Sequence, residues 1–250
     1  MVGERKILVV AHSEELSRVA AEEFVVHAEA AVRKKGFFAV ALSGGSTPKG
    51  LYRKLAGELY REKISWSKVH FFWGDERCVP PDHPDSNYHM ARESLFNKVP
   101  IPEVNIYRIP AELEDHDRAV SEYEKTIRMF FHLATREKPS FDMVLLGMGD
   151  DGHTASLFPW TSALEERDHL VSANYIEKLS AWRLTLTVPV INQAAQVLFL
   201  ISGESKATVL REVLEGDFQP HRLPSQLIRP VHGRLLFIAD LLAAGKLTHM

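Results

Sequence analysis

The feature that most restricts how this chain can fold is an alternation of two periods. Apolar, β-rich runs stand at residues 6–11 (KILVVA), 37–42 (FFAVAL), 69–73 (VHFFW), 104–109 (VNIYRI), 141–147 (FDMVLLG), 183–188 (RLTLTV), 196–202 (QVLFLIS) and 234–239 (RLLFIA). Most are continuously hydrophobic, as strands buried on both faces of a parallel sheet are. Between the first two, Leu16, Val19, Ala20, Phe24, Ala28, Ala31 and Val32 recur at helical spacing from Ser13 to Lys35, and Gly36 stops the run. Strand, helix, strand in repetition predicts an α/β fold, a doubly wound, mostly parallel sheet with helices on both faces. No internal repeat, low-complexity tract or flexible linker divides the chain, so a single domain over 1–250 is expected. Residues 160–195 break the alternation and are expected to form a small excursion or lobe beside the sheet.

A chain of 250 residues with 45% hydrophobic content can bury such a core. No apolar stretch reaches the roughly 18–20 residues that span a bilayer, and the opening MVGERKILVVAH is charged, with an apolar run too short for a signal peptide. A soluble cytoplasmic protein with no membrane partner is expected, as a monomer or weak homo-oligomer. Cys78 is the single cysteine, which excludes an internal disulfide and multi-cysteine zinc sites. The formal net charge is −3, with lysines and arginines scattered rather than gathered in a stripe, which argues against nucleic acid as a partner. An anionic ligand would have to be met by local cations.

Three glycine loops follow three of the runs. In ALSGGSTPKGLYRKL (41–55), Gly44, Gly45, Ser46 and Thr47 form a small polar loop, with Thr47 the expected N-cap and Pro48 the first helical position. Exposed amides at such a start suit a phosphate, although the same loop also serves as a plain tight turn. In LISGESKATVLREVL (200–214) a helix is expected near Ser205, which puts Lys206 in the first turn, where the helix dipole disfavours a cation. A bound anion would account for it, and so would solvation. In FDMVLLGMGDDGHTASLF (141–158) a strand, a glycine-rich turn and a helix are expected, with His153 or Thr154 near the helix start. If the three strands are neighbours, their carboxyl-end loops meet in one crevice. A fourth loop, FFWGDERCVPPDHPDSNYHMARESLF (71–96), carries Asp75, Glu76 and Arg77 straight after a strand; such a charged triplet is not expected inside a strand and reads either as a surface salt-bridge cluster or as part of a site.

The residue set narrows the chemistry. Neither Ser46 nor Ser205 stands in Gly-x-Ser-x-Gly, so a serine nucleophile is disfavoured, and no signature surrounds Cys78. Asp150, Asp151, His153, His83 and His89 lack any recognised metal-ligand spacing, so no metal is indicated. His153 is left between general acid/base work, tuned by Asp151, and a helix-start histidine satisfied by its own loop.

Five ordered segments, LSGGSTPKGLY, WGDERCVPPDHPDSNY, LLGMGDDGHTASLFP, RLTLTVPVIN and ISGESKA, together resemble the 6-phosphogluconolactonases, relatives of the glucosamine-6-phosphate deaminases and isomerases. The resemblance runs over essentially the whole chain. It implies a modified doubly wound, Rossmann-like fold and hydrolysis of 6-phospho-D-glucono-1,5-lactone, a sugar phosphate lactone, without a cofactor. Its motif histidine is His153, oriented by Asp151, and its arginine is Arg77. The resemblance further implies substrate or phosphate binding by Gly44, Gly45, Ser46, Thr47, Asp75, Arg183 and Lys206. The deaminase branch has a tyrosine where this chain has Arg77 and a glutamate where it has Phe158, which favours the lactonase branch over the deaminase, and the retained His153 and Arg77 argue against a non-catalytic sugar-phosphate-binding regulator.

Overall fold

Nine strands and eight α-helices are found in the computed structural model, which describes residues 5–248. The strands are β1 (Arg5–Val10), β2 (Phe38–Leu42), β3 (Val69–Trp73), β4 (Asp75–Arg77), β5 (Met143–Leu146), β6 (Val171–Ile176), β7 (Ala181–Leu186), β8 (Gln196–Ile201) and β9 (Arg234–Asp240). The helices are α1 (Ser13–Lys35), α2 (Ser46–Leu55), α3 (Glu58–Arg61), α4 (Asn87–Ser94), α5 (His116–Phe131), α6 (Val188–Ile191), α7 (Ala207–Glu215) and α8 (Leu241–Ala244). None of the described helices is long and apolar enough to cross a membrane.

Six strands form one sheet in the order β1-β9-β8-β5-β2-β3, every neighbouring pair parallel. Strands β2, β5 and β8 are buried at every position, which is why their sequences are continuously apolar. Helix α1 has the bounds that its periodicity predicts; Gly36 ends it in the left-handed region (φ 88), and the His12 ring accepts the Glu15 amide at its start. The chain enters at the edge strand β1, crosses to β2, steps outward to β3, then returns to β5 on the other side of β2. The direction of winding therefore reverses between β2 and β5, and at such a reversal the loops beyond the carboxyl ends diverge and open a crevice.

Buried tyrosines clamp the ends of the strands that border it. Tyr52 of α2 accepts the Ser43 amide (3.0 Å) and donates to the Ser43 carbonyl (2.7 Å). Tyr123 of α5 does the same to Trp73 at the end of β3, at 2.8 and 3.1 Å.

The structure departs from the periodic reading in three places. Residues 104–109 are not a strand: a 3-10 turn spans Glu103–Asn105, and only Ile106 bridges to Phe71. Pro100, Pro102 and Pro110 surround the run and withhold the donors of a ladder, while Tyr107 still packs its ring on Phe72 at 4.6 Å. The run at 183–188 gives its first four residues to β7, which lies outside the parallel sheet in a second, antiparallel one of order β4-β7-β6, and its last two to the start of α6. Asp75–Arg77, a triplet too charged to be expected inside a strand, is β4 itself. Gly74 joins the two sheets, donating its N–H to Leu42 of β2 (2.8 Å) and accepting Leu186 of β7 (2.7 Å).

Candidate active site

Strands β8, β5 and β2 are consecutive in the sheet, so the three glycine loops do meet. With β4 they enclose a cleft of about 270 Å³, lined by Ser43 to Pro48, Asp75, Arg77, Asn87, Gly147 to Gly149, His153 to Ala155, Leu200 to Ser202 and Lys206. That volume is close to the lower limit of ordinary small-molecule sites, about 300 Å³. A groove of about 1150 Å³ between α5 and β6 is larger, but Gly44 to Thr47, Arg77, His153 and Lys206 all lie elsewhere, so we place the chemistry in the smaller cleft.

The phosphate-loop candidates Gly44, Gly45, Ser46 and Thr47 all line it. Helix α2 starts at Ser46, one residue before the expected cap, because Gly45 turns the chain at φ 102. Thr47 therefore lies inside the first turn rather than capping it, Pro48 is the third helical residue, and no side chain caps this helix start. First-turn amides without a side-chain cap are the groups that bind an anion.

Asp75 and Glu76 are buried, which removes the reading of a surface salt-bridge cluster. The Glu76 carboxylate accepts the amides of Arg77 (2.8 Å), Asn87 (2.7 Å) and Tyr88 (2.8 Å) and the Ser86 hydroxyl (3.1 Å). Burial pushes its carboxyl up and the backbone bonds oppose that shift. Glu76 thus fastens the start of α4 to β4 and closes the proline-rich loop between them. Asp75 accepts the Ser156 hydroxyl (2.6 Å), which ties β4 to the His153 loop, and its carbonyl accepts the Asn87 amide group (2.9 Å). Arg77 lines the cleft while donating to the Asp85 carbonyl at 2.6 Å.

No helix follows His153: residues 147–161 are turns, with one Thr154–Leu157 bridge. Ala155 and Trp160 take left-handed conformations (φ 47 and 63) and Pro159 separates them, a sequence of breaks that a helix cannot absorb. What holds the histidine is side-chain contact. Its Nδ1 meets Asp151 Oδ1 at 2.5 Å, its own amide donates to that oxygen at 3.1 Å, and its ring stacks on Phe158 at 3.9 Å with 18° between planes. The other Asp151 oxygen takes the Lys178 ammonium. Partial burial alone would raise the Asp151 carboxyl, but the His153 and Lys178 hydrogen bonds outweigh it and hold it well below the usual carboxylate range. Asp151 does not itself line the cleft.

Lys206 lines the cleft, but it stands in the 3-10 turn Glu204–Lys206 just before α7 rather than in the first turn of a helix starting near Ser205, and it is not a cation without a counter-charge: its ammonium pairs with Asp150. Arg183 does not line the cleft; it sits directly across from Arg77 in the β4–β7 register. Burial and the neighbouring Arg77 charge lower its guanidinium. Burial pushes the Cys78 thiol up to about 11, which leaves little thiolate at neutral pH. Among the described residues no group of three or more His, Cys, Asp or Glu side chains is placed to hold a metal. Asn87, Ser156 and Lys178 escaped the sequence reading and left no signal in it, while Glu76 was legible only as a member of the Asp-Glu-Arg triplet, without the role of fastening α4 to β4.

Residues 11–237 match the family model described as glucosamine-6-phosphate isomerases/6-phosphogluconolactonase. The chain is 45% identical to a 6-phosphogluconolactonase of Nostoc sp. over 222 residues, covering 88% of this chain and 89% of that protein. It is 44% identical to one of Synechocystis sp. over 210 residues, covering 84% and 85%. The solved 6-phosphogluconolactonase from Trypanosoma cruzi superposes with a TM-score of 0.86 at 34% identity, over 99% of this chain and 98% of that one. With a shared fold, a matched span that contains all four cleft loops and identities well above 30%, the chain belongs to the glucosamine-6-phosphate isomerase/6-phosphogluconolactonase family.

Proposed function

We propose that the protein is a 6-phosphogluconolactonase, which adds water to 6-phospho-D-glucono-1,5-lactone to give 6-phospho-D-gluconate, with His153 as general base. The observation that carries this reading is the contact of His153 Nδ1 with Asp151 at 2.5 Å in a side chain that lines the cleft. An ionised carboxylate there accepts from a protonated Nδ1, which leaves the lone pair of a neutral imidazole on Nε2 for a water in the cleft. Phe158 covers the ring at 3.9 Å where the deaminase branch has a glutamate, so a base is present without the second carboxylate of an isomerase proton relay.

In the proposed reaction Nε2 takes a proton from water as its oxygen bonds to the lactone carbonyl carbon. The tetrahedral adduct collapses by breaking the bond to the ring oxygen, which receives the proton back from the imidazolium. Arg77 stands in the cleft to steady the oxyanion or the substrate. The uncapped start of α2, with the Ser46 and Thr47 hydroxyls, takes the phosphate, and Lys206 exchanges Asp150 for it. Arg183, one strand from the cleft, adds positive charge beside Arg77. General base catalysis contributes about 10²–10⁴-fold and a placed donor about 10²–10³-fold, enough for an activated cyclic ester. A doubly ionised phosphate does not cross a bilayer unaided, so the enzyme works in the compartment where its substrate is made.

The test is lactone generated by glucose-6-phosphate dehydrogenase and followed against its spontaneous hydrolysis. The protein should accelerate its loss, and His153→Ala should lower kcat by about 10²–10⁴-fold with KM little changed. Absence of acceleration, or ammonia release from glucosamine 6-phosphate instead, overturns the assignment.

A further inference from the structure

We propose that Lys178, on the turn joining β6 and β7, is a positioning residue of the hydrolysis: it grips Asp151 and through it sets the orientation and charge of His153. The proposal rests on the reading of His153 as the base. Lys178 lies in a 3-10 turn, Glu177–Leu179, closed by Ser180 in the left-handed region, so the second sheet delivers it across 27 residues of chain to Asp151. One Asp151 oxygen holds the imidazole twice, by ring Nδ1 and by backbone amide, and the other holds the ammonium. The same ammonium lies 4.9 Å from the centre of the Phe158 ring on which His153 is stacked. Lys178 thus touches both groups that fix the imidazole, the carboxylate and the ring.

The arrangement answers an electrostatic problem. A carboxylate beside an imidazole favours the imidazolium, which is useful after water has been deprotonated but disables the base beforehand. A cation on the far oxygen offsets that field while leaving the hydrogen bond that orients the ring. The other charges around His153 are Asp150 paired with Lys206, and Arg77 and Asp75 on the cleft wall. Asp150 and Lys206 offset each other at close range, and Asp75 is already hydrogen-bonded to Ser156, so the Asp151–Lys178 balance is the one that acts through direct contact. Lys178 is exposed, and exposed pairs add little to stability, so its replacement should leave the fold intact.

The experiment compares Lys178→Met, which keeps the stem and removes the charge, with Lys178→Arg, which keeps the charge. Rates are followed with lactone over about pH 5–9, and the imidazole titration by 15N NMR. Lys178→Met is expected to lower kcat about 10-fold at neutral pH with KM within about twofold. It should also move the acidic limb of the profile and the NMR titration up by about 0.5–1 pH unit. Lys178→Arg should restore both. A Lys178→Met chain with the original kcat and acidic limb, or a Lys178→Arg chain as impaired as Lys178→Met, overturns the proposal. The NMR arm separates the two claims. A shifted titration in a protein that does not hydrolyse lactone sustains the charge balance and overturns the function, whereas an unshifted one in an active enzyme overturns only the role of Lys178.

Discussion

At the scale of single residues, this cleft works by close approach. Gly149 lies so near the imidazole that a Cβ there would come within 2.0 Å of His153 Nδ1 and 2.9 Å of Asp151 Oδ1. Its backbone also accepts the Gly152 amide and donates to the His153 carbonyl, so it cannot move aside without opening the turn. Gly149→Ala is therefore expected to swing the ring off Asp151 and lower kcat by about 10²-fold or more, while thermal stability falls little because the loop borders the cleft. A kcat within about threefold of the unaltered protein, read in the lactone assay, would show that the ring tolerates the displacement. His153, Asp151 and Arg77 were legible as residues because their motifs are local. Ser156 and Asn87 were not: the bond from Ser156 to Asp75 spans 81 residues, and neither end carries a mark of the other.

At the scale of elements, the site is a set of loop ends pinned by buried polar side chains. Tyr52 and Tyr123 each occupy both main-chain groups of a strand's last or next residue, where the ladder has run out of partners. Glu76 does the corresponding work for β4 and α4 with four donors converging on one carboxylate. Glu76→Gln keeps the shape but turns an NH2 group toward backbone N–H donors. It is expected to cost about 1–3 kcal/mol in a urea melt and to lower kcat/KM as Arg77 and the 78–86 loop loosen. Unchanged stability and unchanged kcat/KM would mean that the loop is held by something else. The helix expected after His153 failed at this scale as well. Its turn residues resemble a helix start, yet Gly152, Ala155 and Trp160 all take positive φ, and the loop is held instead by the Thr154 hydroxyl, which donates to the Gly147 carbonyl at 2.8 Å.

At the scale of the molecule, two sheets share Gly74 and one cleft, and their carboxylates share a pH dependence. The hydrogen bonds of Asp151 hold its carboxyl below the usual range, and Glu166, although burial acts to raise it, is lowered to about 2 by the amides of His169 and Asp168. Carboxyls lowered by folding contribute stability above their unfolded values, about pH 4, and that contribution is lost as pH falls through the folded values. The urea midpoint should therefore be nearly level from about pH 7 to 5 and fall from about pH 4 to 2; a midpoint level down to about pH 2 would contradict it. Buried Glu76, raised rather than lowered, acts in the opposite sense and at higher pH: its burial penalty is relieved as pH falls through its folded value toward about pH 4, before the fall begins. The sequence by itself determined the α/β alternation, the bounds of α1, the fully buried strands, the loops that carry His153, Lys206 and the glycine turn, and the presence of Arg77 just beyond β3. Period and composition dictate these, and both are properties of neighbouring residues. Only the tertiary structure decided the strand order that gathers those loops, the second sheet made from β4, β6 and β7, the Asp150 partner of Lys206 and the delivery of Lys178 to Asp151. Each of these is a pairing between segments far apart in the chain, stabilised by hydrogen bonds and burial that exist only once both segments are in place.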